Sequence, residues 1–364
     1  MDLAFETKNI RRLLIRGTNW VGDSVMVIPA LREIRKVFPT TKITALVLPW
    51  VSDLYEISPW IDDILLYDRD GRHAGIKGRL RLVKAISKRK FDAALLLQNA
   101  FEAALLTRLA GIPIRAGYKR DCRGCLLTHG IPVDKNVTKL HQIFYYWDLI
   151  DRLFRKKRVG LETSKDLAKT QAIYNNSLPI RETTQKTARQ QLHDGGISFH
   201  GKLVGVNPGA SFGSAKRWST KSYAEVLDRL VEEENIEIVI FGSSSELTIA
   251  NAICQNMKHH PLVLSGKTSL SHLMAMISSC QLLITNDSGP MHLAAVLKVP
   301  TLALFGSTDE ITTGPLNPFA VVLNKKVECS PCLLRECPID HRCMTQITAE
   351  EVYQKAVTML REEN

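Results

Sequence analysis

Three short polar segments carry residue types suited to group transfer, and each one follows a short apolar run. They are GTNWVGDSVMVIP at 17–29, NPGASFGSAKRW at 207–218 and TNDSGPMHLA at 285–294. The first offers Asp23, a carboxylate that can accept a proton from a hydroxyl group. The other two offer Lys216, small residues and a predicted helix start at Ser288 and Gly289, which suit a diphosphate. Together they predict chemistry on an anionic substrate.

Each segment also has an ordinary structural interpretation. An Asp such as Asp23 at a helix start is typical of an N-cap that accepts backbone N–H bonds. A small-residue loop after a strand is often a plain turn, and His292, one turn into its helix, is typical of a surface residue. Two glycines and the indole of Trp20 around Asp23 favour a loop that faces substrate. Pro29, early in the same helix, predicts a kink.

Two successive series of strands and helices would position these segments. Near-continuous apolar runs, typical of parallel strands covered on both faces, alternate with helix-length amphipathic runs. The apolar runs lie at 12–16, 42–48, 62–67, 91–98, 203–209, 236–242, 261–266, 281–287 and 299–306. They predict an α/β fold with two doubly wound Rossmann-like domains and an active site in the cleft between them.

The predicted domains are residues 1–175 and 176–364, and their join falls within 155–200. That stretch has the basic run RKKR, a polar NNS and a Gly-Gly pair but no clear strand. The sequence leaves open whether the last helix, near 349–362, returns to the first domain.

Charge is distributed unevenly along the 364 residues. The chain holds 48 Lys and Arg against 37 Asp and Glu, a net charge of +11. Residues 1–160 carry 29 basic and 16 acidic side chains, or +13, and the remainder carries 19 and 21, or −2. The basic half therefore predicts an anionic partner.

Composition excludes several classes of protein. With 45% hydrophobic and 23% charged residues, disordered and collagen-like chains are excluded. No apolar run reaches the roughly 18 residues that span a bilayer, and the first residues lack the apolar core of a signal peptide. Eight cysteines in a chain of this length do not indicate a disulfide scaffold. We therefore expect a cytoplasmic protein.

The three segments resemble those of the family 9 glycosyltransferases, the bacterial lipopolysaccharide heptosyltransferases. The resemblance extends from Arg16 to the CSPC at 329–332, and RGTNWVGDSVM at 16–26 is similar to the members that add to the first heptose. It implies a GT-B fold, with the acceptor in the N-terminal domain and ADP-heptose mainly in the C-terminal one. It further implies an inverting, metal-independent transfer of heptose to the first heptose of the inner core, with no cofactor.

The resemblance also implies roles by position. Asp23 matches the general base, and Lys216 with the helix at Ser288 would stabilise the leaving ADP. Glu246 matches the acid that holds the ribose, and the backbone at Thr268 matches an adenine contact. The complete set of positions that matches ADP-heptose-binding residues is Ser211, Lys216, Glu246, Thr268, Asp287, Ser288, Gly289 and His292. The chain departs from a related class at Phe212, which stands where that class has a second hydroxyl residue.

Two basic groups lie in the N-terminal half. Segment 69–90 carries nine Lys and Arg, and the second group is Arg115, Lys119, Arg120 and Arg123. Such runs are typical of solvated helix faces, but they could also meet the phosphates of a lipid A core and the anionic inner leaflet. On that interpretation the acceptor is a Kdo–lipid A core, and the acceptor-binding residues are Trp20, Arg79, Arg81, Lys84 and Arg120. We then expect a monomer that is peripheral on the cytoplasmic face of the inner membrane.

Two further patterns resemble metal sites. Asp68 and Asp70 form a D-x-D, which some glycosyltransferases use to hold a divalent cation, although Asp-Arg-Asp-Gly is also a turn sequence and we favour the turn. Four cysteines spaced C-x2-C-x4-C-x5-C indicate a candidate structural zinc site, reduced thiols or a labile disulfide. These cysteines are Cys329, Cys332, Cys337 and Cys343.

Three other functions compete with this prediction. Another family 9 member would add the first or third heptose, and a sugar-nucleotide epimerase would turn over the nucleotide sugar without an acceptor. A basic nucleic-acid-binding protein would bind with a steep salt dependence. The sequence has no recognisable nucleic-acid module, so we expect no nucleic-acid partner.

Overall fold

The chain divides into two compact units, Met1–Asn176 and Ser177–Asn364. The computed structural model describes residues 9–155 and 178–362, so the predicted domain boundary at 175 and 176 lies outside the described residues. Within these described ranges, no helix has the length and apolar character needed to cross a membrane.

The N-terminal unit is built on a parallel sheet. Its described strands are β1 Arg12–Arg16, β2 Lys42–Val47, β3 Asp63–Leu66, β4 Ala93–Leu96, β5 Ile114–Tyr118 and β6 His129–Ile131. They lie in the order β3-β2-β1-β4-β5-β6. Its described α-helices are α1 Val21–Met26, α2 Ile28–Val37, α3 Ser52–Glu56, α4 Gly75–Lys88, α5 Phe101–Leu109 and α6 Gln142–Ile150. The central strand β4 is apolar and buried throughout, as strands covered on both faces require.

The C-terminal unit repeats this architecture. Its described strands are β7 Leu203–Asn207, β8 Glu237–Ile240, β9 Leu262–Val263, β10 Leu282–Asn286, β11 Thr301–Phe305 and β12 Ala320–Asn324. They form a parallel sheet in the order β12-β11-β10-β7-β8-β9. Its described α-helices are α7 Glu182–Asp194, α8 Thr220–Glu234, α9 Leu247–Asn256, α10 Leu270–Ile277, α11 Gly289–Val296, α12 Glu310–Thr313, α13 Arg342–Thr345 and α14 Ala349–Arg361.

The two sheets share one strand order, in which the direction of winding reverses between the first and fourth strands. In the first unit β1 lies beside β4, and in the second β7 lies beside β10. The loops that follow such a pair diverge to opposite faces and leave a crevice at the carboxyl edge, where open α/β sheets bind ligands. The predicted fold of two doubly wound parallel sheets is confirmed.

The last helix belongs to the core of the C-terminal unit. Helix α14 packs against α8 and β10, and its buried residues Val352, Tyr353 and Ala356 join the same hydrophobic cluster as Leu227 and Ile284. Burial of this apolar face stabilises the helix, because isolated helices of this length are only marginally stable in water.

The structure differs from the sequence predictions in four places. Strands β5, β6 and β12 were not predicted: β5 contains Arg115, β6 has three residues, and β12 is half-buried along its length. The predicted kink at Pro29 is a break between α1 and α2, with the proline in the first turn of α2, where its missing N–H costs no helix bond.

Candidate active site

A lysine–carboxylate pair stands at the carboxyl edge of the C-terminal sheet. Lys216 ends a short 3₁₀ turn in the loop that follows β7, and Asp287 directly follows β10, so the two neighbouring strands bring them together. Lys216 Nζ lies 2.5 Å from Asp287 Oδ2, and the two side chains are 12% and 5% exposed. Thr308, after β11, donates to the same carboxylate oxygen at 2.6 Å. The carboxylate therefore fixes the lysine at the crevice.

The helix that begins beside this pair offers its backbone N–H groups. Ser288 is the N-cap of α11, yet among the described contacts its side chain makes no capping bond. Its hydroxyl instead accepts from Asn207 Nδ2 at 3.1 Å and lies 3.1 Å from the Thr285 hydroxyl. The first turn, apart from Pro290, thus keeps its N–H groups and a positive helix end, which favour an anion.

His292 lies one turn into α11 and is buried rather than exposed, so the interpretation as a surface residue is wrong. Its pKa is lowered to about 4, chiefly by burial; the Asp287 carboxylate opposes this shift and the Lys216 cation adds to it. The imidazole is therefore neutral at pH 7, and it can contribute a hydrogen bond to this site but no positive charge.

Glu246 ends a short 3₁₀ turn in the loop after the neighbouring strand β8, close to the loop after β7. Its Oε2 accepts from the backbone N and the hydroxyl of Ser243 at 2.7 and 2.8 Å, which forms a capping box and fixes the rotamer. A Cβ at Gly209 would stand 2.1 Å from Glu246 Oε1. Gly209 thus allows the backbone and the carboxylate to approach each other.

The two remaining predicted residues of this unit lie on loops at the same sheet edge. Ser211 is exposed in the loop after β7, and Thr268 is half-buried in the loop after β9. Gly266, just before Thr268, has φ +74°, and a Cβ there would stand 2.8 Å from the Ser244 Cα. A glycine is required by this close approach and backbone conformation.

Phe212 makes a contact that the sequence did not predict. Lys216 Nζ lies 4.8 Å from the centroid of its ring, and the Arg335 guanidinium lies 5.5 Å from it. The ring therefore supports two cations through cation–π contacts, and the departure from a hydroxyl residue at this position has a physical role.

In the N-terminal unit, Asp23 lies in the first turn of α1, directly after the central strand β1. The N-cap of α1 is Trp20, so the interpretation of Asp23 as the N-cap is wrong. Tyr146 OH donates to Asp23 Oδ1 at 3.4 Å. Burial, and then the Asp23 charge, raise the pKa of Tyr146 well above its ordinary value, so the phenol stays protonated and orients the carboxylate.

Two exposed indoles stand near this turn. Trp20 precedes α1, and Trp50 donates its ring N–H to the Asn19 carbonyl at 2.8 Å. Sequence reasoning found Trp20 but missed Trp50, because the contact joins residues 31 positions apart. The two rings offer exposed apolar surface near α1, which is suited to a sugar ring.

The candidate acceptor residues differ in their surroundings. On α4, Arg79 is paired with Glu102, Arg81 donates to the Arg72 carbonyl at 2.9 Å, and Lys84 is exposed. Arg120 is also exposed, in the loop after β5.

Two members of the second basic group do not contribute to a surface. Arg115 and Arg123 are buried, and both guanidinium groups bond to backbone carbonyls. Arg123 also donates to Asn99 Oδ1 at 3.2 Å, and so it fixes the loop after β4. Their inclusion in an anion-binding surface was wrong, because burial withdraws both charges from solvent.

The two candidate metal patterns have other arrangements in the structure. Asp68 accepts from the backbone N of Gly71 and Arg72 at 3.1 and 2.7 Å, which matches the predicted turn. All four candidate zinc ligands are free thiols, and Cys343 is buried. In residues 9–155 and 178–362, no group of three or more His, Cys, Asp or Glu side chains is arranged to hold a metal ion.

A doubly wound sheet with a lysine, a hydroxyl residue and an uncapped helix start at its crevice is typical of proteins that bind a nucleotide phosphate. The sequence model of glycosyltransferase family 9 (heptosyltransferase) matches residues 79–342. The chain belongs to this family. The match confirms the enzyme class that the motifs predicted.

Several known proteins are similar over almost their whole length. The chain is 27% identical to lipopolysaccharide heptosyltransferase 2 of Salmonella typhimurium, over 97% of this chain and 99% of that protein. It is 30% identical to lipooligosaccharide heptosyltransferase 2 of Campylobacter jejuni subsp. jejuni serotype O:2, over 96% and 98%. The solved structure of E. coli ADP-heptose lps heptosyltransferase II has a TM-score of 0.78 and 26% identity, over 97% and 99%.

Proposed function

We propose that the protein transfers L-glycero-D-manno-heptose from ADP-heptose to the first heptose of the lipopolysaccharide inner core. The names of the similar proteins support this donor and this acceptor class. The observation that carries the proposal is the buried pair of Lys216 and Asp287 beside the uncapped start of α11. That arrangement suits a nucleoside diphosphate leaving group.

Five groups would bind the donor. Its diphosphate would lie at the N-terminus of α11, with the Lys216 ammonium and the Ser211 hydroxyl as further donors. Glu246 would accept hydrogen bonds from ribose hydroxyls, because an ionised carboxylate is an acceptor with several lone pairs. The backbone at Thr268 would meet the adenine.

The reaction would be a single displacement. Asp23 takes the proton of the acceptor hydroxyl while the hydroxyl oxygen forms the new bond to the anomeric carbon of the donor. The bond from that carbon to the diphosphate oxygen breaks, and the electron pair leaves with ADP. Lys216 offsets the charge that develops on ADP. Attack from the side opposite to the leaving group inverts the anomeric centre, and the step uses neither a cofactor nor a metal ion.

The acceptor would bind to the N-terminal unit as a phosphorylated lipid at a membrane surface. Trp20 and Trp50 would contact its sugars, and Arg81, Lys84 and Arg120 its phosphates. Helix α4 also exposes Ile76 and Leu80, which are 79% and 57% exposed and one helical turn apart. Apolar side chains flanked by exposed basic ones are typical of helices that lie at an anionic lipid surface. We propose that this helix holds the protein, as a monomer, on the cytoplasmic face of the inner membrane.

The activity is tested by following ADP release from ADP-heptose in EDTA, with and without a mono-heptosylated Kdo–lipid A acceptor. Asp23→Asn should lower kcat by about 10²–10⁴-fold, the usual contribution of a positioned base. Asp70→Asn, an exposed carboxylate of the D-x-D turn, is the matched control and should keep wild-type activity. Release without any acceptor would contradict transferase activity and favour an epimerase-type or hydrolytic reaction.

Parallel assays with different acceptors identify which heptose of the core the enzyme adds. Release with a heptose-free core, and not with the mono-heptosylated one, would assign the first heptose, and release with a longer core would assign the third. For the surface, Arg81→Gln/Lys84→Gln and Ile76→Ser/Leu80→Ser should each weaken binding to vesicles that contain anionic lipid, whereas Lys186→Gln in α7 should not. Unchanged vesicle binding together with an unchanged acceptor KM would refute the role of α4.

A further inference from the structure

We infer that the cysteine segment, residues 329–343, is a positioning element for the β7 loop, residues 208–216, and that His341 is its main positioning residue. The inference rests on the proposed function, because that function assigns the β7 loop and Lys216 to the donor diphosphate. It extends that function by giving a role to a segment that contributes no predicted contact to either substrate.

The cysteine segment binds the β7 loop next to its lysine. The backbone N of Ala215 donates to the Arg335 carbonyl at 2.9 Å, and His341 Nε2 donates to the Ala215 carbonyl at 2.9 Å. Both backbone polar groups of the residue before Lys216 are thus bound by one segment. A Cβ at Gly213 would stand 2.1 Å from the Arg335 carbonyl oxygen, so this approach requires a glycine.

The same segment is bound to the end of β11. Ser330 Oγ donates to the Gly306 carbonyl at 2.5 Å, and the backbone N of Leu333 donates to the Ser307 carbonyl at 2.8 Å. Thr308, the next residue, donates to the carboxylate that holds Lys216. The cysteine segment therefore connects the backbones of two loops whose side chains meet at that carboxylate. Because the cysteine segment is bonded both to the β7 loop and to the end of β11, a shift of the segment would shift Lys216.

The backbone at His341 is strained in a way that its contact explains. His341, the N-cap of α13, has φ 59° and ψ 28°, a left-handed conformation. A non-glycine residue in this conformation is unfavourable and persists where the surrounding structure fixes it. A carbonyl oxygen can only accept, so Nε2 must carry the proton in this contact. The imidazole spans from the strained turn to the β7 loop.

Cys343, the last residue of the segment, contributes packing. A Cβ at Gly306 would stand 2.9 Å from Cys343 Sγ, so this thiol packs directly on the end of β11. Burial, and then the neighbouring Cys329, Cys337 and Cys332, raise the pKa of Cys343 to about 11. Cys343 is therefore a neutral thiol at pH 7 and acts as a small apolar side chain.

Two substitutions at His341 separate hydrogen bonding from backbone conformation. The His341→Gln side chain reaches as far as Nε2 and can donate, but it adopts a left-handed backbone less readily. His341→Asn adopts that backbone readily, but its amide nitrogen ends one bond short of Nε2. Asp340→Asn, whose side chain caps the adjacent turn without contacting the β7 loop, is the matched control.

The experiment measures ADP affinity by calorimetry, the KM values for ADP-heptose and acceptor, and the thermal unfolding temperature, all with the full chain. We expect His341→Asn to weaken ADP binding about 3- to 10-fold, the contribution of one hydrogen bond, and to raise the ADP-heptose KM with the acceptor KM unchanged. His341→Gln and Asp340→Asn should stay within about 2-fold of wild type. His341→Asn should be at least as heat-stable as His341→Gln.

A structural role alone predicts the opposite order, with ADP affinity following stability and His341→Gln the weaker variant. That order, or wild-type ADP affinity in His341→Asn, would overturn the inference while leaving the proposed function intact. Absence of ADP binding by the wild-type protein would contradict the proposed donor, and the inference would fail with it.

Discussion

Replacing Lys216 by methionine removes its ammonium group and tests the contribution of that group to both stability and activity. In Lys216→Met the methionine keeps most of the apolar stem, but Asp287 Oδ2 retains Thr308 and loses its cation. Asp287 is 5% exposed, so water compensates little. Breaking a buried ion pair by removing one partner typically costs about 3–5 kcal/mol. Because Lys216 is 12% exposed, we place the cost at the lower end, about 3 kcal/mol.

The double variant Lys216→Met/Asp287→Asn separates the two effects. It removes both charges, and replacing a buried pair by neutral groups is often close to neutral for stability. We therefore expect Lys216→Met to be destabilised by about 3 kcal/mol, and the double variant to lie within about 1 kcal/mol of wild type. If Lys216 acts on the leaving group as we propose, both variants should lose about 10²–10³-fold in kcat, because neither keeps the ammonium.

Hydrogen exchange is the appropriate stability assay, because a two-unit chain need not unfold in one step. A local loss of about 3 kcal/mol corresponds to roughly a hundredfold faster exchange of the amides in β10 and β11. Wild-type protection in Lys216→Met would refute the argument that this pair is buried and interdependent. Recovery of heptose transfer in the double variant would refute the assignment of Lys216 to the leaving group.

Two further predictions concern the same unit. Gly209→Ala should weaken ADP binding at least tenfold by calorimetry, because the new Cβ would stand 2.1 Å from Glu246 Oε1, whereas Gly124→Ala, whose Cβ meets its nearest atom at 3.6 Å, should bind ADP like wild type; equal affinities would refute the steric argument. Burial lowers the pKa of His292 to about 4 from its ordinary 6.5. Between pH 6.5 and pH 4, therefore, His292 is protonated in the unfolded chain but not in the folded one. Stability should fall as the pH falls from about 6.5 to about 4, by up to about 3 kcal/mol. His292→Gln should remove this pH-dependent loss of stability. If hydrogen exchange in α11 kept its wild-type pH dependence in that variant, the loss could not be due to His292.

The strands that form the binding edges could be predicted from sequence because they are apolar on both faces. Strands β1, β7 and β10 are covered on both sides of their sheets, so each contains a continuous apolar stretch, which is LLI in β1, LVGV in β7 and LLI in β10. Strand β5 could not be found in this way, since Arg115 interrupts it. That arginine is tolerated because its guanidinium donates to carbonyls, including that of Leu126 at 2.7 Å. Periodicity cannot report a partner eleven residues away.

The candidate site divides in the same manner. Lys216 and Asp287 could be predicted to meet, because each follows a strand near the reversal of strand order. Thr308 could not, since nothing in its local sequence marks it as a partner of Asp287. Arg123 was assigned to a charged surface because a sequence shows charge and not burial. In the structure it is buried and bonded to the Tyr118 carbonyl at 2.9 Å.

The surroundings of the two motif carboxylates indicate which of them can serve as the base. Asp287 accepts hydrogen bonds from an ammonium and a hydroxyl on a single oxygen, so its described contacts hold Lys216 in place. Asp23 receives a hydrogen bond from Tyr146, a neutral phenol that burial keeps protonated. A neutral donor orients a carboxylate while withdrawing less of its negative charge than a cation does. Two carboxylates in two environments can thus take two roles, which is consistent with the proposal that Asp287 holds the lysine while Asp23 accepts the proton.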